Sequence, residues 1–352
     1  MKHLFFLPLA ALALFGAGCS TSTAPAQGPD GGVWKSVDRG QTWTQKRALV
    51  TGQKVTAAVA SFNVVSLTAD LQDHNAVYAA TAENGLIATL DGGESWRNMN
   101  IPGVAQVNAV AVDAKDKCTV YAASANKIYK TMTCGRDWAQ IEYEPRTTVS
   151  FTQIVSDWYN PSIVFAGNSD GDILRSQDGG TSWEKVTRVD TMEITSMVMD
   201  PHDSRVLYAG TWGGGVAKTV DGGTTWKDVG GTFGGIFDAR RVRQIVVDPS
   251  ATSTLYLVCK YGILKTTDGG TTWNPLNLTT PPGSITILSM AVDPKDGKKM
   301  VYSGIRTLQT SSDGGVSWTV QKLPTTKNGS ALLIDPVNTD TMYLGAKAPV
   351  QQ

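Results

Sequence analysis

Side chains able to do acid, base or nucleophilic chemistry are sparse in this chain of 352 residues, and they do not cluster by type. His3 lies in an apolar N-terminal stretch, and His74 and His202 fall far apart, so neither a Ser-His-Asp relay nor a histidine metal site has a local basis. The segment NSDGD (168–172) alternates Asn and Asp as a calcium loop does, but its twelfth position is Gly179 where a bidentate Glu is needed. It reads instead as a hairpin turn built on Asp170 and Gly171. No metal and no cofactor is expected. Glu83, Asp170, Asp172, Glu193 and Asp238 supply the kind of carboxylates that a glycoside hydrolase uses in pairs. The densest constellation is GGTFGGIFDARRVRQ (230–244), which sets Phe233 and Phe237 beside Asp238, Arg240, Arg241 and Arg243. Guanidinium forks pair with carboxylates and aromatic rings anchor interfaces, so this composition suits an acidic or C-terminal peptide segment. The alternative is that these arginines are solvated loop charges paired with Asp238, Glu193 and Glu144.

What positions these residues is a repeat. TTDGGTTW (266–273) recurs as SVDRGQTW (36–43), TLDGGESW (89–96), MTCGRDW (132–138), SQDGGTSW (176–183), TVDGGTTW (219–226) and SSDGGVSW (311–318). The terminal tryptophans are spaced by 53, 42, 45, 43, 47 and 45 residues, a period that suits propeller blades. In each copy an Asp can accept backbone N–H groups from the turn it enters, glycines supply positive φ, and the Trp packs beside the turn. Asp38, Asp91, Asp178, Asp221, Asp268 and Asp313 therefore have structural work and are not catalytic candidates. Each full unit has four strands, as in ITSMVMD (194–200), RVLYAGT (205–211), GVAKT (215–219) and WKDV (226–229). The chain ends with two inner strands, ALLIDP (331–336) and TMYLGA (341–346), and begins with two outer ones in 33–45. Together they complete one blade, which predicts an all-β, seven-bladed propeller closed by pairing N-terminal outer strands with C-terminal inner strands. On the face opposite the aspartate turns, Arg146, Arg306, Trp212 and Tyr261 join the Arg-rich loop from other loops.

The repeated turns resemble the Asp-box (BNR) repeat, S/T-x-D-x-G-x-T/S-W, at six of the seven copies. The seventh departs from it, with Thr133 for the Asp and Cys134 for a glycine. The resemblance implies the propeller fold but spans sialidases, xyloglucanases, the sortilin receptor propeller and photosystem II assembly and stability factors. A single set of seven boxes with VDP and VYAG segments is most similar to the assembly-factor type, which implies a non-enzymatic scaffold. The enzyme alternative lacks the Phe-Arg-Ile-Pro motif typical of sialidases; those are six-bladed, and xyloglucanases typically pair two seven-bladed rings.

Residues 1–18 carry a Lys, a short apolar run and small residues before Cys19, as a signal peptide does. Gly16, Ala17 and Gly18 resemble a bacterial lipobox, with Gly16 where Leu is usual, so Cys19 is the expected lipidation site; cleavage further on, for example after Ala26, is the alternative. Residues 19–32 read as a flexible tether and 33–348 as the propeller. The chain is expected to be exported and held at a cell-envelope membrane, or else released as a soluble secreted or periplasmic protein. Cys118 and Cys134 flank an antiparallel hairpin and are expected to form a disulfide, while Cys259 reads as a buried thiol. With 31 basic and 31 acidic side chains there is no sign of a nucleic-acid surface, and the expected partner is an envelope protein or peptide bound by a monomer.

Overall fold

A computed structural model describes residues 29–349; the leader, Cys19 and most of the tether lie outside the described residues. The strands form seven sheets arranged as a seven-bladed β-propeller with almost no helix. Blades one to six follow chain order, with first strands Val64–Ala69, Ala109–Val112, Phe151–Ser156, Ile194–Met199, Val242–Val247 and Ser289–Val292. The seventh blade orders Asn328–Ile334, Met342–Lys347, Gly32–Ser36 and Thr44–Lys46 from the inside out, so the two ends of the chain share one sheet. Trp34 stands opposite Leu344 in that seam.

Burial explains the composition of each strand. Second strands such as Val120–Ser124 and Leu207–Thr211 are buried at every residue, because each is flanked by strands within its sheet and by a neighbouring blade on either face. Fourth strands such as Glu184–Arg188 lie at the outer edge and carry the charges that discourage edge-to-edge pairing. The apolar interior is divided into clusters that each span one blade junction. Stability is thus shared among neighbour contacts, as in other repeat architectures.

One element has no counterpart in the sequence reading. Leu49–Thr51 and Lys54–Thr56 form a hairpin whose inner strand pairs in parallel with Trp96–Asn98, turning blade one into a six-stranded sheet. This hairpin and the 3-10 turn Ala58–Ser61 occupy the extra length in the 53-residue tryptophan spacing. They also cover Trp96, which is fully buried.

The turn at 266–273 shows how the repeated signature works. Thr266 Oγ1 donates to Asp268 Oδ1 and accepts the Gly270 N–H, while Asp268 accepts the Thr272 N–H at 2.9 Å and its hydroxyl at 2.7 Å. Gly269 and Gly270 both have positive φ, which a β-carbon would oppose. In the divergent copy Thr133 Oγ1 takes over part of the role by accepting the Asp137 N–H at 2.9 Å, and a Cys118–Cys134 disulfide joins the turn to the loop between the first and second strands of the same blade.

These turns also fasten blades together. Tyr121 and Lys130 of blade two both donate to Gly179 O of blade three, and Tyr208 and Lys218 of blade four donate to Gly269 O of blade five. Across the junction of blades seven and one Tyr343 donates to Gly92 O at 2.9 Å. On the same face, loops between first and second strands link round the ring: Gln72 donates to Asp113 O, Trp158 to Asp200 O and Lys295 to Val337 O, and His74 Nδ1 lies 3.0 Å from Asp335. His74 and His202 both fall on loops between first and second strands, in different blades.

Candidate functional site

The opposite face is built from loops that join second to third strands and one blade to the next. Its most elaborate loop, 229–241, is anchored from below: Phe233 is buried against Trp273, with ring centroids 5.8 Å apart, and Ala239 is fully buried. Those anchors push Phe237 outward, where it is 58% exposed. Its ring meets that of Tyr261 edge-on at 5.1 Å. Asp238, at positive φ, pairs with Lys260 at 3.1 Å and Arg241 at 3.5 Å. Arg241 forms a backbone bridge to Trp212, and the Arg243 guanidinium lies over the Trp212 ring at 5.2 Å. Arg240 turns the other way, donating to Gly214 O and pairing with Asp228 at 3.1 Å. There it lines a cleft of about 380 Å³ between blades three and four, with Arg188, Asp190, Trp226 and Lys227.

The predicted set therefore divides. Trp212, Phe237, Asp238, Arg241, Arg243 and Tyr261 form one contiguous group around blades four and five. Arg146 is occupied elsewhere, held by Glu144 at 2.7 Å, Asp170 at 2.6 Å and Asp172 at 3.3 Å. Its Glu144 bond and those charges raise its pKa, so it stays a cation committed to that network. Arg306 is exposed on blade six and touches none of the group among the described residues. Lys260 was missed by the sequence reading, although its place beside Tyr261 on a loop of this face was a usable signal. Pairing of the arginines with Asp238 and Glu144 is present, whereas Glu193 pairs with none of them among the described residues.

A central channel of about 970 Å³ opens through the ring, lined by the first strands of all seven blades. Most lining groups are hydroxyls, amides and aliphatic chains such as Thr68, Asn108, Thr152, Gln153 and Leu332; Glu193 and Arg243 are the charged ones. Burial at the channel wall raises the Glu193 carboxyl and lowers the Arg243 guanidinium, in each case by disfavouring the charged form. Although the Glu193 side chain is solvent-exposed, protein surrounds it on the sides, which accounts for this partial desolvation. Of the other carboxylates considered for glycoside chemistry, Asp170, Asp172 and Asp238 are ion-paired and Glu83 is hydrogen-bonded. Burial pushes Asp172 up, but hydrogen bonds and charge from Arg188 and Lys185 outweigh it and hold the group at about 2. Asp170 is taken by Arg146, Asp238 by Lys260 and Arg241, and Glu83 accepts the Asn63 amide at 3.0 Å. Among the described residues no three His, Cys, Asp or Glu gather as metal ligands. Cys259 is buried, and that burial pushes its thiol up to about 11, so it is inert at neutral pH.

Comparison with known proteins places the fold and leaves the activity open. No family model matches the chain, and no curated protein matches it. Among solved structures it is similar to the GH74 xyloglucanase from Xanthomonas campestris, with TM-score 0.66 and 17% identity over 81% of this chain and 51% of that one. The chain thus spans about half the length of that enzyme. It is similar over nearly the whole of YCF48 bound to D1 peptide, with TM-score 0.62 and 16% identity over 83% of this chain and 94% of that one. YCF48 from Cyanidioschyzon merolae gives TM-score 0.62 and 16% identity over 81% and 95%. At such identities the likeness defines a class, the seven-bladed propellers, and goes no further.

Proposed function

We propose that this propeller is an exported, non-enzymatic scaffold that holds a protein or peptide partner on the face opposite its aspartate turns. In this reading a lipid on Cys19 keeps the monomer at a cell-envelope membrane. The observation that carries it is the exposed Phe237, braced by Tyr261 and ringed by Arg241, Lys260 and Asp238. An aromatic ring held in place at the surface and bordered by cations is the composition of an interface anchor. The likeness to YCF48 bound to D1 peptide supports a polypeptide as the partner class. A photo-reactive residue at position 237 should give a defined cross-linked adduct in the native envelope, one at Thr271 on the other face should not, and Arg240→Ala, Arg241→Ala and Arg243→Ala together should abolish the adduct. Equal adducts from both positions, or none from 237, would refute the reading.

A glycoside hydrolase acting at the ring mouth is the second reading, favoured by the raised Glu193 carboxyl and the likeness to GH74. Its acid would be Glu193. Release of reducing ends from xyloglucan by the purified chain, lost in Glu193→Gln, would replace the first reading; no release from either protein would retire the second.

A further inference from the structure

Every blade places one residue at an equivalent point where the chain enters its first strand, just before it or within its first three residues: Val65, Asn108, Thr152, Thr195, Arg243, Leu288 and Ser330. In several blades a backbone bulge sits there, turning this side chain toward the next blade. Four of the seven use it as a fastener. Asn108 donates to Phe151 O at 2.8 Å, Thr152 to Ile194 O at 2.7 Å, Thr195 to Val242 O at 2.8 Å and Ser330 to Val64 O at 2.6 Å. Val65 and Leu288 are apolar, and blade six makes its link from the adjacent Ser289 to Gly329 O at 3.1 Å.

Arg243 is the charged exception in this ring. It makes no bond to blade six and no ion pair or hydrogen bond among the described residues; it lies instead over the Trp212 ring on the channel wall. A guanidinium taken partly out of water without an anion is unfavourable, and the repeat offers a hydroxyl as the ready alternative. Apart from its stacking on Trp212, the charge has no partner in the fold among the described residues, so the guanidinium's hydrogen-bonding edge is left for a group from outside it. Ser66 Oγ, on the wall of the same channel, is also buried without a hydrogen-bond partner among the described residues.

We propose that Arg243 and Trp212 form a carboxylate-binding site in the channel wall, reached from the face opposite the aspartate turns. This rests on the binding-face reading and deepens it, moving the polar anchor from the rim into the channel and naming the group it takes. The guanidinium fork matches the two oxygens of one carboxylate, and Trp212 covers its flat face so that the fork is held in one orientation. Rim arginines Arg240 and Arg241 already have carboxylate partners, so they do not compete for the ligand. A free small acid and the C-terminus of a polypeptide present the same group.

Titration calorimetry on the purified chain separates these sources, with acetate, succinate, a hexapeptide with a free C-terminus and the same hexapeptide as its C-terminal amide. At least one free-carboxylate probe should bind, and the amide should bind at least about tenfold more weakly than the free hexapeptide or not at all. Binding by acetate or succinate points to a small acid, and binding by the free peptide alone points to a chain end. Arg243→Thr, which installs the hydroxyl used by Thr152 and Thr195, should weaken binding at least about tenfold while leaving the thermal midpoint unchanged or higher. Arg240→Gln should leave binding intact. The proposal is overturned if no carboxylate probe binds at millimolar concentration, if acid and amide peptides bind alike, or if Arg243→Thr binds as the parent does or unfolds markedly earlier. A cross-link from position 237 that survives in Arg243→Thr, with no carboxylate binding by the parent, would dismiss the channel site and leave the rim reading standing.

Discussion

Six aspartates in this chain look at first like a reserve of catalytic groups, and their local bonding shows why they are not. Hydrogen bonds from the Ser or Thr four residues on hold Asp38, Asp178, Asp221, Asp268 and Asp313 at about 2, far below the range of a general acid at neutral pH. Their folded pKa is depressed, so the stability they contribute is complete above the unfolded value near 3.8 and is lost as pH falls toward about 2. The thermal midpoint should therefore be flat from neutral pH to about 5 and drop steeply between about 4 and 2. Asp268→Asn should lower the neutral-pH midpoint and reduce that acid slope; an unchanged slope would mean that the turn bonds do not form in solution. Arg243 shows the converse. Its type was legible as part of an Arg-rich loop, but its separation from Arg240 and Arg241 was not, because neighbouring residues of one strand face different surroundings.

Among the elements, blade two differs most from its siblings. Its turn keeps Thr133 in place of the aspartate and closes instead through Cys118 and Cys134, 16 residues apart. A loop of that length stabilises by about 3 kcal/mol when cross-linked. Cys118→Ser with Cys134→Gly should cost about that much in chemical denaturation, and adding Thr133→Asp should recover part of it by restoring the bonds of the other turns. Position 134 accepts glycine readily because its φ is 54°. No recovery would show that the disulfide and the aspartate do different work. The hairpin at 49–56 on blade one was not legible, since its strands are three residues each and carry none of the repeated residues. The irregular tryptophan spacing located extra chain there without revealing that it adds strands to the sheet.

At the scale of the whole molecule, closure joins the two chain ends within blade seven and then packs that blade on blade one. Gly345 faces Val64 there so closely that a β-carbon would stand 2.5 Å from its side chain, and Gly210 meets Val242 in the same way within the ring. Gly345→Ala should destabilise the entire propeller by about 1–3 kcal/mol in a single cooperative transition, as should Gly210→Ala. A separate early transition in Gly345→Ala alone would mean that the junction of blades seven and one opens independently. Closure also explains how residues 251 positions apart, Tyr343 and Gly92, come to share a bond.

Repetition is what made the fold readable without coordinates. Six turns with the same hydrogen-bonding chemistry and a seventh at the same spacing, inner strands apolar on both sides, and half a blade at each end admit one closed ring, because local sterics and burial act on each repeat alike. The site is another matter. Which carboxylates are neutralised, which arginines are already paired, and which lies alone against Trp212 in the channel depend on contacts between blades that lie far apart in sequence. Only the assembled ring decided those, since charge pairing and desolvation are set by distance in space and not by order along the chain.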